Sequence, residues 1–140
     1  MAQAFVITLE KPLPDQAAMD AYLKTRPGKA LFRESDRVSF AARKCNVPAL
    51  TSMLSESAEK LIEQMRAEGF DPTKMRIPPE QWFAPSDALR TIAALIPHIT
   101  ANLNDFKQPN PILRELQAAE TLLTAAAAAG IRFHFTNAVV

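Results

Sequence analysis

Residues 131–136 read Ile-Arg-Phe-His-Phe-Thr, and apolar and polar side chains alternate along them. Residues 4–10, Ala-Phe-Val-Ile-Thr-Leu-Glu, follow the same period of two. This period, with aromatic and β-branched residues, is typical of a strand that has one buried face. Because a lone strand leaves its backbone groups without partners, we predict that the two strands pair with each other. Such a small sheet has exposed edges, so a homodimer formed by edge pairing is one expected assembly.

Between the strands, apolar residues recur at helical spacing. The predicted helices cover about residues 15–25, 48–68, 86–103 and 110–129. Residues 35–45 fit both a helix and a strand, and the helix is favoured because it matches more positions and Ser35 can cap it. Pro97 lies inside a predicted helix, where proline removes a backbone hydrogen bond, so we expect a kink or a break. We therefore predict one α+β domain over residues 1–140, with four to five helices packed on a sheet of the N- and C-terminal strands.

Composition limits the classes of function. Apolar residues make up 48% of the 140 residues and charged residues 22%, as in ordinary globular domains. The net charge of +1 creates no field that selects nucleic acid or membrane. No run approaches the roughly 20 apolar residues of a membrane span, and the N-terminus does not read as a signal peptide. A single cysteine, Cys45, excludes an internal disulfide and a thiolate zinc site, so we expect a cytoplasmic protein.

No motif for catalysis, metal or nucleotide is recognisable. The three glycines are Gly28, Gly69 and Gly130. Each is needed for a turn or a helix end, so none is left for a loop that holds phosphate. His98, His134 and Cys45 are scattered along the chain and do not have the spacing of metal ligands. We therefore predict no catalytic residues, no metal and no cofactor, and we favour a protein that is not an enzyme.

The proline-rich segment 71–85 is the leading functional candidate. It has no helical or strand period, and it carries the large apolar residues Met75, Ile77, Trp82 and Phe83. Such residues are enriched in interface cores, and proline lowers the entropy that a loop loses on docking. The leading hypothesis is a protein-binding domain of the immunity-protein, adaptor or regulator type that uses these four residues. The alternative is that Trp82 and Phe83 pack back on the following helix.

Two other functions stay open. His134 and Arg132 project from the polar face of the predicted sheet, and Thr8 or Glu10 could lie across from His134. With Glu10 there, the two side chains would give the general-base pair of a small enzyme. Residues 24–44 carry seven lysines and arginines against two acidic residues, an excess that could contact phosphate. Nucleic acid is the less expected partner, because the whole chain is nearly neutral and few aromatic residues interleave with these charges.

Two stretches of the C-terminal half share a pattern with known proteins. They are Trp82-Phe83-x-Pro85-x-x-Ala88-Leu89-Arg90-Thr91-Ile92 and residues 115–135, which end in Ala-Gly-Ile-Arg-Phe-His-Phe. Both resemble a pattern in small bacterial proteins of unassigned function. The resemblance implies a bacterial, cytoplasmic α+β protein and carries over no activity and no site residues. Ala84 precedes Pro85 here, so the side-chain cap expected at that helix start is missing.

Overall fold

The computed structural model describes residues 3–74 and 76–139, and it begins and ends with a strand, β1 (Gln3–Leu9) and β2 (Phe133–Val139). Between them, the described residues form six α-helices. These are α1 (Ala17–Lys24), α2 (Lys29–Arg33), α3 (Ser35–Lys44), α4 (Ala58–Ala67), α5 (Pro85–Ala101) and α6 (Pro109–Ala128). The predicted α+β class is confirmed. The count exceeds four to five because α2, with five residues, is too short to show a helical period.

The two strands pair antiparallel, with Ile7 opposite Phe135 and Thr8 opposite His134. On one face, the rings of Phe5 and Phe135 stack with centroids 4.3 Å apart. Phe133 packs edge-on against Phe135. These side chains are buried in one core cluster with the apolar faces of α5 and α6. The predicted pairing of the terminal strands is therefore confirmed, and the phenylalanines of β2 lie on the buried face as expected.

The outer edge of β1 is held by residues from the α1–α2 region. The Phe5 N–H donates to the Gly28 carbonyl oxygen at 2.9 Å. The Ile7 N–H donates to the buried Tyr22 hydroxyl at 3.0 Å. Burial raises the pKa of Tyr22, so the phenol stays neutral and its oxygen accepts this bond. These backbone groups of β1 are therefore already bonded, and edge pairing of two copies cannot use them.

The helix predicted over residues 48–68 is wrong as one continuous element. A short 3-10 helix covers Leu50–Met53, and Leu54 then forms a parallel bridge with Phe135 of β2. The Ser55 N–H donates to the Phe135 carbonyl oxygen at 3.0 Å. Only after Ser57, whose hydroxyl accepts from the Lys60 N–H at 3.2 Å, does α4 begin. A hydrogen bond to the sheet thus replaces a turn of helix that the apolar period alone favours.

Two uncertain points of the sequence are now decided. Residues 35–44 form helix α3, with Val38, Ala41 and Ala42 on its buried face, so the favoured interpretation of this stretch is confirmed. The predicted cap is wrong, because Ser35 is the first residue of the helix and Glu34 precedes it at the cap position. Helix α5 continues past Pro97 to Ala101, so a break at the proline is wrong, and a kink there stays a prediction. No helix in the described part of the chain has the length and apolarity needed to cross a membrane.

The start of helix α6 is capped by a carboxylate from a distant part of the chain. Glu34 is 6% exposed. Its Oε1 accepts from the Lys107 N–H at 2.6 Å, and its Oε2 accepts from the Gln108 N–H at 3.0 Å. Arg37 adds an ion pair at 3.2 Å. The first N–H groups of a helix lack internal partners and carry partial positive charge, so this carboxylate stabilises α6 and ties it to α3.

Replacing Glu34 with glutamine will lower the free energy of unfolding by about 2 kcal/mol, because an amide nitrogen then faces a backbone N–H where an ionised acceptor stood. Urea unfolding followed by circular dichroism measures the change. The control is Asp36→Asn, at an exposed acidic position in the first turn of α3, which should change stability by less than about 0.5 kcal/mol. Equal losses in the two variants would contradict the cap.

Candidate functional site

Residues 80–83 of the proline-rich segment 71–85 lie against β2. The ring of Trp82 lies over the imidazole of His134, with centroids 4.5 Å apart. Phe83 exchanges two backbone hydrogen bonds with Phe133, at 2.8 and 3.0 Å. Both aromatic side chains, and Ile77, are half-buried. Met75, the fourth predicted partner-binding residue, lies outside the described residues.

A hydrogen-bonded chain runs beneath this segment. Nε2 of His134 lies 2.7 Å from Oε2 of Glu80, and Nδ1 lies 3.1 Å from the hydroxyl of Thr136. The Thr136 hydroxyl in turn lies 2.9 Å from the hydroxyl of Thr8. An ionised carboxylate only accepts, so Nε2 of His134 is the donor to Glu80. The side chain of His134 therefore connects Glu80 of the proline-rich segment to the sheet.

The enzyme hypothesis required Glu10 to contact His134, and the structure contradicts this. The strand register places Thr8 opposite His134, and the Glu10 N–H pairs with the Arg132 carbonyl oxygen. The two side chains form an exposed ion pair at 2.6 Å. The hydrogen bond from Arg132 holds the pKa of Glu10 below its usual value, and Glu10 raises the pKa of Arg132. The actual partner of His134, Glu80, is supplied by the proline-rich segment.

The order carboxylate, imidazole, hydroxyl is also the order of a hydrolytic triad. A nucleophile must reach its substrate, however, and here the relevant groups are covered. His134 is 1% exposed and Thr136 is 6% exposed. Because both imidazole nitrogens of His134 and the hydroxyls of Thr136 and Thr8 have hydrogen-bond partners inside the protein, the arrangement satisfies buried groups and positions the segment. It does not present a reactive hydroxyl to solvent in this conformation.

The basic segment 24–44 contributes to two adjoining clefts beside α3. One, of about 470 Å³, is lined by Arg33, Glu34, Asp36, Arg37, Lys107 and Gln108. The other, of about 370 Å³, is lined by Asp36, Arg37, Phe40, Ala41, Lys44, His98, Asp105 and Phe106. Acidic side chains alternate with basic ones in both clefts. Lys44 also lies over the Phe40 ring at 4.6 Å. In these two clefts the charge excess of segment 24–44 is therefore interrupted by acidic side chains.

Cys45 and the two histidines are not brought together. Cys45 follows α3, with its Sγ 4.0 Å from the Ala94 carbonyl oxygen. His98 lines a cleft beside α3, and His134 is buried in the sheet. Among residues 3–74 and 76–139, no group of three or more His, Cys, Asp or Glu side chains could hold a metal ion.

Helix α4 borders a cleft of different character. The cleft measures about 370 Å³ and is lined by Leu54, Ser55, Glu56, Leu61, Pro78, Pro79, Gln81 and Asn137. We call it the α4 groove. None of the ten residues of α4, all of them in the described part of the chain, is buried. Its large apolar residues Leu61, Ile62 and Met65 are only half-buried.

The end of α4 exposes one more large apolar side chain. The Gly69 N–H donates to the Arg66 carbonyl oxygen, and the Phe70 N–H donates to that of Met65 at 2.8 Å. With Gly69 at φ +84°, these bonds form the Schellman motif that ends many helices. The predicted helix end at Gly69 is confirmed. Phe70, which the motif places next to α4, is 53% exposed.

Comparison with protein-family models, with curated protein sequences and with solved structures finds no match to this chain. The resemblance of the C-terminal half to small bacterial proteins stays a prediction. The function must therefore be inferred from the geometry of this chain alone.

Proposed function

We propose that this protein is a non-enzymatic protein-binding domain whose partner docks on the α4 groove. The observation that carries the proposal is helix α4, which has an apolar stripe and no buried residue. In the leading sequence hypothesis, segment 71–85 bound the partner through its aromatic residues. In the refined proposal it contributes Pro78 and Pro79, because Trp82 and Phe83 already pack on β2.

Isolated helices shorter than about 12–15 residues are marginal in water, so a ten-residue helix normally depends on packing of its apolar face. Here α4 is stabilised mostly by local interactions. These are the Ser57 cap, the Glu56–Lys60 ion pair at 3.0 Å and the Schellman motif at Gly69. The apolar side chains of α4 therefore retain solvent-exposed area that a partner can bury. Methionine and aromatic residues, such as Met65 and Phe70, are the types enriched at interfaces.

The other candidate surfaces have less support. The imidazole of His134 is covered by Trp82, and its nitrogen atoms are engaged by Glu80 and Thr136. The clefts beside α3 carry both signs of charge, which gives little attraction for a nucleic-acid backbone. An adaptor, immunity-protein or regulator role needs only a specific protein surface. A reducing, cytoplasmic location is part of the same proposal and is supported by the single cysteine.

Leu61→Asp will weaken partner binding at least about tenfold, because a charge placed in the α4 groove must be desolvated when the partner docks. Affinity capture from a lysate of the source organism, followed by mass spectrometry, identifies the partner. Titration calorimetry with the purified partner then measures the affinity. The free energy of unfolding should fall by less than about 1 kcal/mol, since Leu61 is only half-buried.

The matched control is Leu23→Asp. Leu23 is 55% exposed and lies on α1, which packs on α6, so it offers a similar apolar side chain on another helix. This variant should bind the partner as the unmodified chain does. If Leu61→Asp and Leu23→Asp bind equally well, the α4 groove is not the docking surface.

A further inference from the structure

The outer edge of β2 has hydrogen-bonding groups at Asn137 that the fold does not use. Phe5 and Asn137 lie opposite each other in the antiparallel pair. The Phe5 N–H donates to Gly28, on the side away from β2, so these two residues do not hydrogen-bond to each other. The backbone N–H and carbonyl oxygen of Asn137 therefore point away from β1. Along the same edge, Phe133 pairs with Phe83 and the Phe135 carbonyl accepts from Ser55. Within residues 3–74 and 76–139, no hydrogen bond reaches the N–H or the carbonyl oxygen of Asn137.

The reason lies in the path of the chain beside β2. The segment that carries Leu54 and Ser55 runs parallel to β2 and covers it as far as Phe135. One more pair of bonds would bring Asn137 into the ladder, but the chain turns off at Ser57 to begin α4. The exposed Asn137 is therefore left as a lining residue of the α4 groove.

We propose that the α4 groove accepts an extended peptide of the partner, which adds as a strand beside Asn137 of β2. This inference rests on the proposed function and names the kind of partner segment. The peptide backbone supplies an acceptor and a donor for the edge groups of Asn137. Every second side chain of the peptide then points to the apolar wall formed by Leu61, Pro78 and Pro79.

An extended segment fits this site better than a helix does. A helical peptide bonds its own backbone groups and would cover the N–H and carbonyl oxygen of Asn137 without pairing them, which leaves two buried polar groups unsatisfied and weakens binding. A strand pairs them. The groove volume of about 370 Å³ lies within the usual range of roughly 300–1,000 Å³ for binding clefts.

The test compares Asn137→Pro with Asn137→Ala. Proline removes the outward N–H and is tolerated where that group faces solvent at a sheet edge, whereas alanine removes the side chain and keeps the N–H. The probe is a set of dodecamer peptides selected against the unmodified chain from a random phage-displayed library. Asn137→Pro should weaken binding at least tenfold and Asn137→Ala less than threefold. Thermal unfolding checks that both variants keep the fold.

Two further readouts address the backbone directly. In the ligand-free protein, the amide of Asn137 should exchange with solvent faster than that of Phe133, and bound peptide should slow it. In the peptide, single N-methylation should abolish binding at one residue only, the one whose N–H donates to the Asn137 carbonyl oxygen. The residues on either side should tolerate it, because neighbouring amides of a strand face away from β2. Losses at several consecutive residues, as a bound helix would give, would overturn strand addition.

The outcomes separate this inference from the proposed function. Equal peptide binding by Asn137→Pro and Asn137→Ala, with binding lost in Leu61→Asp, rejects strand addition and keeps the α4 groove as a docking surface. Peptide binding that survives both Leu61→Asp and Asn137→Pro rejects the groove itself. A selection that yields no peptide dependent on Leu61 also counts against strand addition.

Discussion

Replacing Gly28 with alanine will lower the free energy of unfolding by about 4 kcal/mol or more, the largest loss that we expect from a single methyl group in this chain. Gly28 has φ +96°, a conformation that side chains with a Cβ rarely adopt. An added Cβ would collide with the Phe5 carbonyl oxygen and lie 2.7 Å from the Phe5 nitrogen and carbonyl carbon. These are backbone atoms of β1, so no rotamer change can relieve the clash.

The matched control is Gly130→Ala, after helix α6. Gly130 also has positive φ, +68°, but a Cβ there would meet nothing within 4 Å. Gly130→Ala should therefore lower the free energy of unfolding only by the conformational strain, about 1 kcal/mol. Urea unfolding of the two variants separates steric collision from backbone preference. Losses of the same size would show that Gly28 is needed only for its turn and not for its approach to β1.

The role of Gly28 shows how much of this fold the sequence predicts. The period of two in β1 and β2 and the helical spacing of apolar residues in α6 are local patterns, and each predicted its element. The single buried face predicted for the strands is wrong for β2, because the proline-rich segment covers its polar face, where His134 is 1% and Thr136 6% exposed. A glycine after Arg26-Pro27 likewise predicted a turn. That the turn lies directly against Phe5 depends on tertiary packing, which no local spacing encodes. The break near Leu54 escaped prediction for the same reason, because its competing hydrogen bond comes from β2.

The hydrogen-bond partners of three structurally important carboxylates could not be predicted from the sequence either. Glu34 caps α6 from 73 and 74 residues away, and Glu115 accepts from the N–H groups at the start of α2 across 84 and 85 residues. Glu80 reaches His134 across 54 residues. A sequence shows which residues carry charge, but such pairs have no characteristic spacing. The predicted sheet pairing left Thr8 and Glu10 as alternatives across from His134; the register selects Thr8, and the carboxylate comes from a segment with no predicted structure.

Replacing His134 with alanine will lower the free energy of unfolding by about 3 kcal/mol, because it leaves a cavity and removes the partner of Glu80 and Thr136. Trp82, the only tryptophan of the chain, lies on the imidazole, so its fluorescence reports on this site alone. We expect its emission maximum to move to longer wavelength as the indole becomes more exposed. The control is His98→Ala, at a half-buried helical position, which should leave the emission unchanged and stability within about 0.5 kcal/mol.

Glu80→Gln tests whether this buried contact also shapes the docking surface. The variant keeps the size of the side chain but weakens its bond to His134, so stability should fall by only about 1 kcal/mol. Glu80 follows Pro78 and Pro79, which form one wall of the α4 groove, so loosening it should weaken partner binding without any direct contact. Amide exchange of Gln81 and Trp82 should accelerate in parallel. If His134→Ala and Glu80→Gln leave the Trp82 emission and the partner affinity unchanged, then the backbone pairing of Phe83 with Phe133 holds the segment by itself, and His134 is only a core residue.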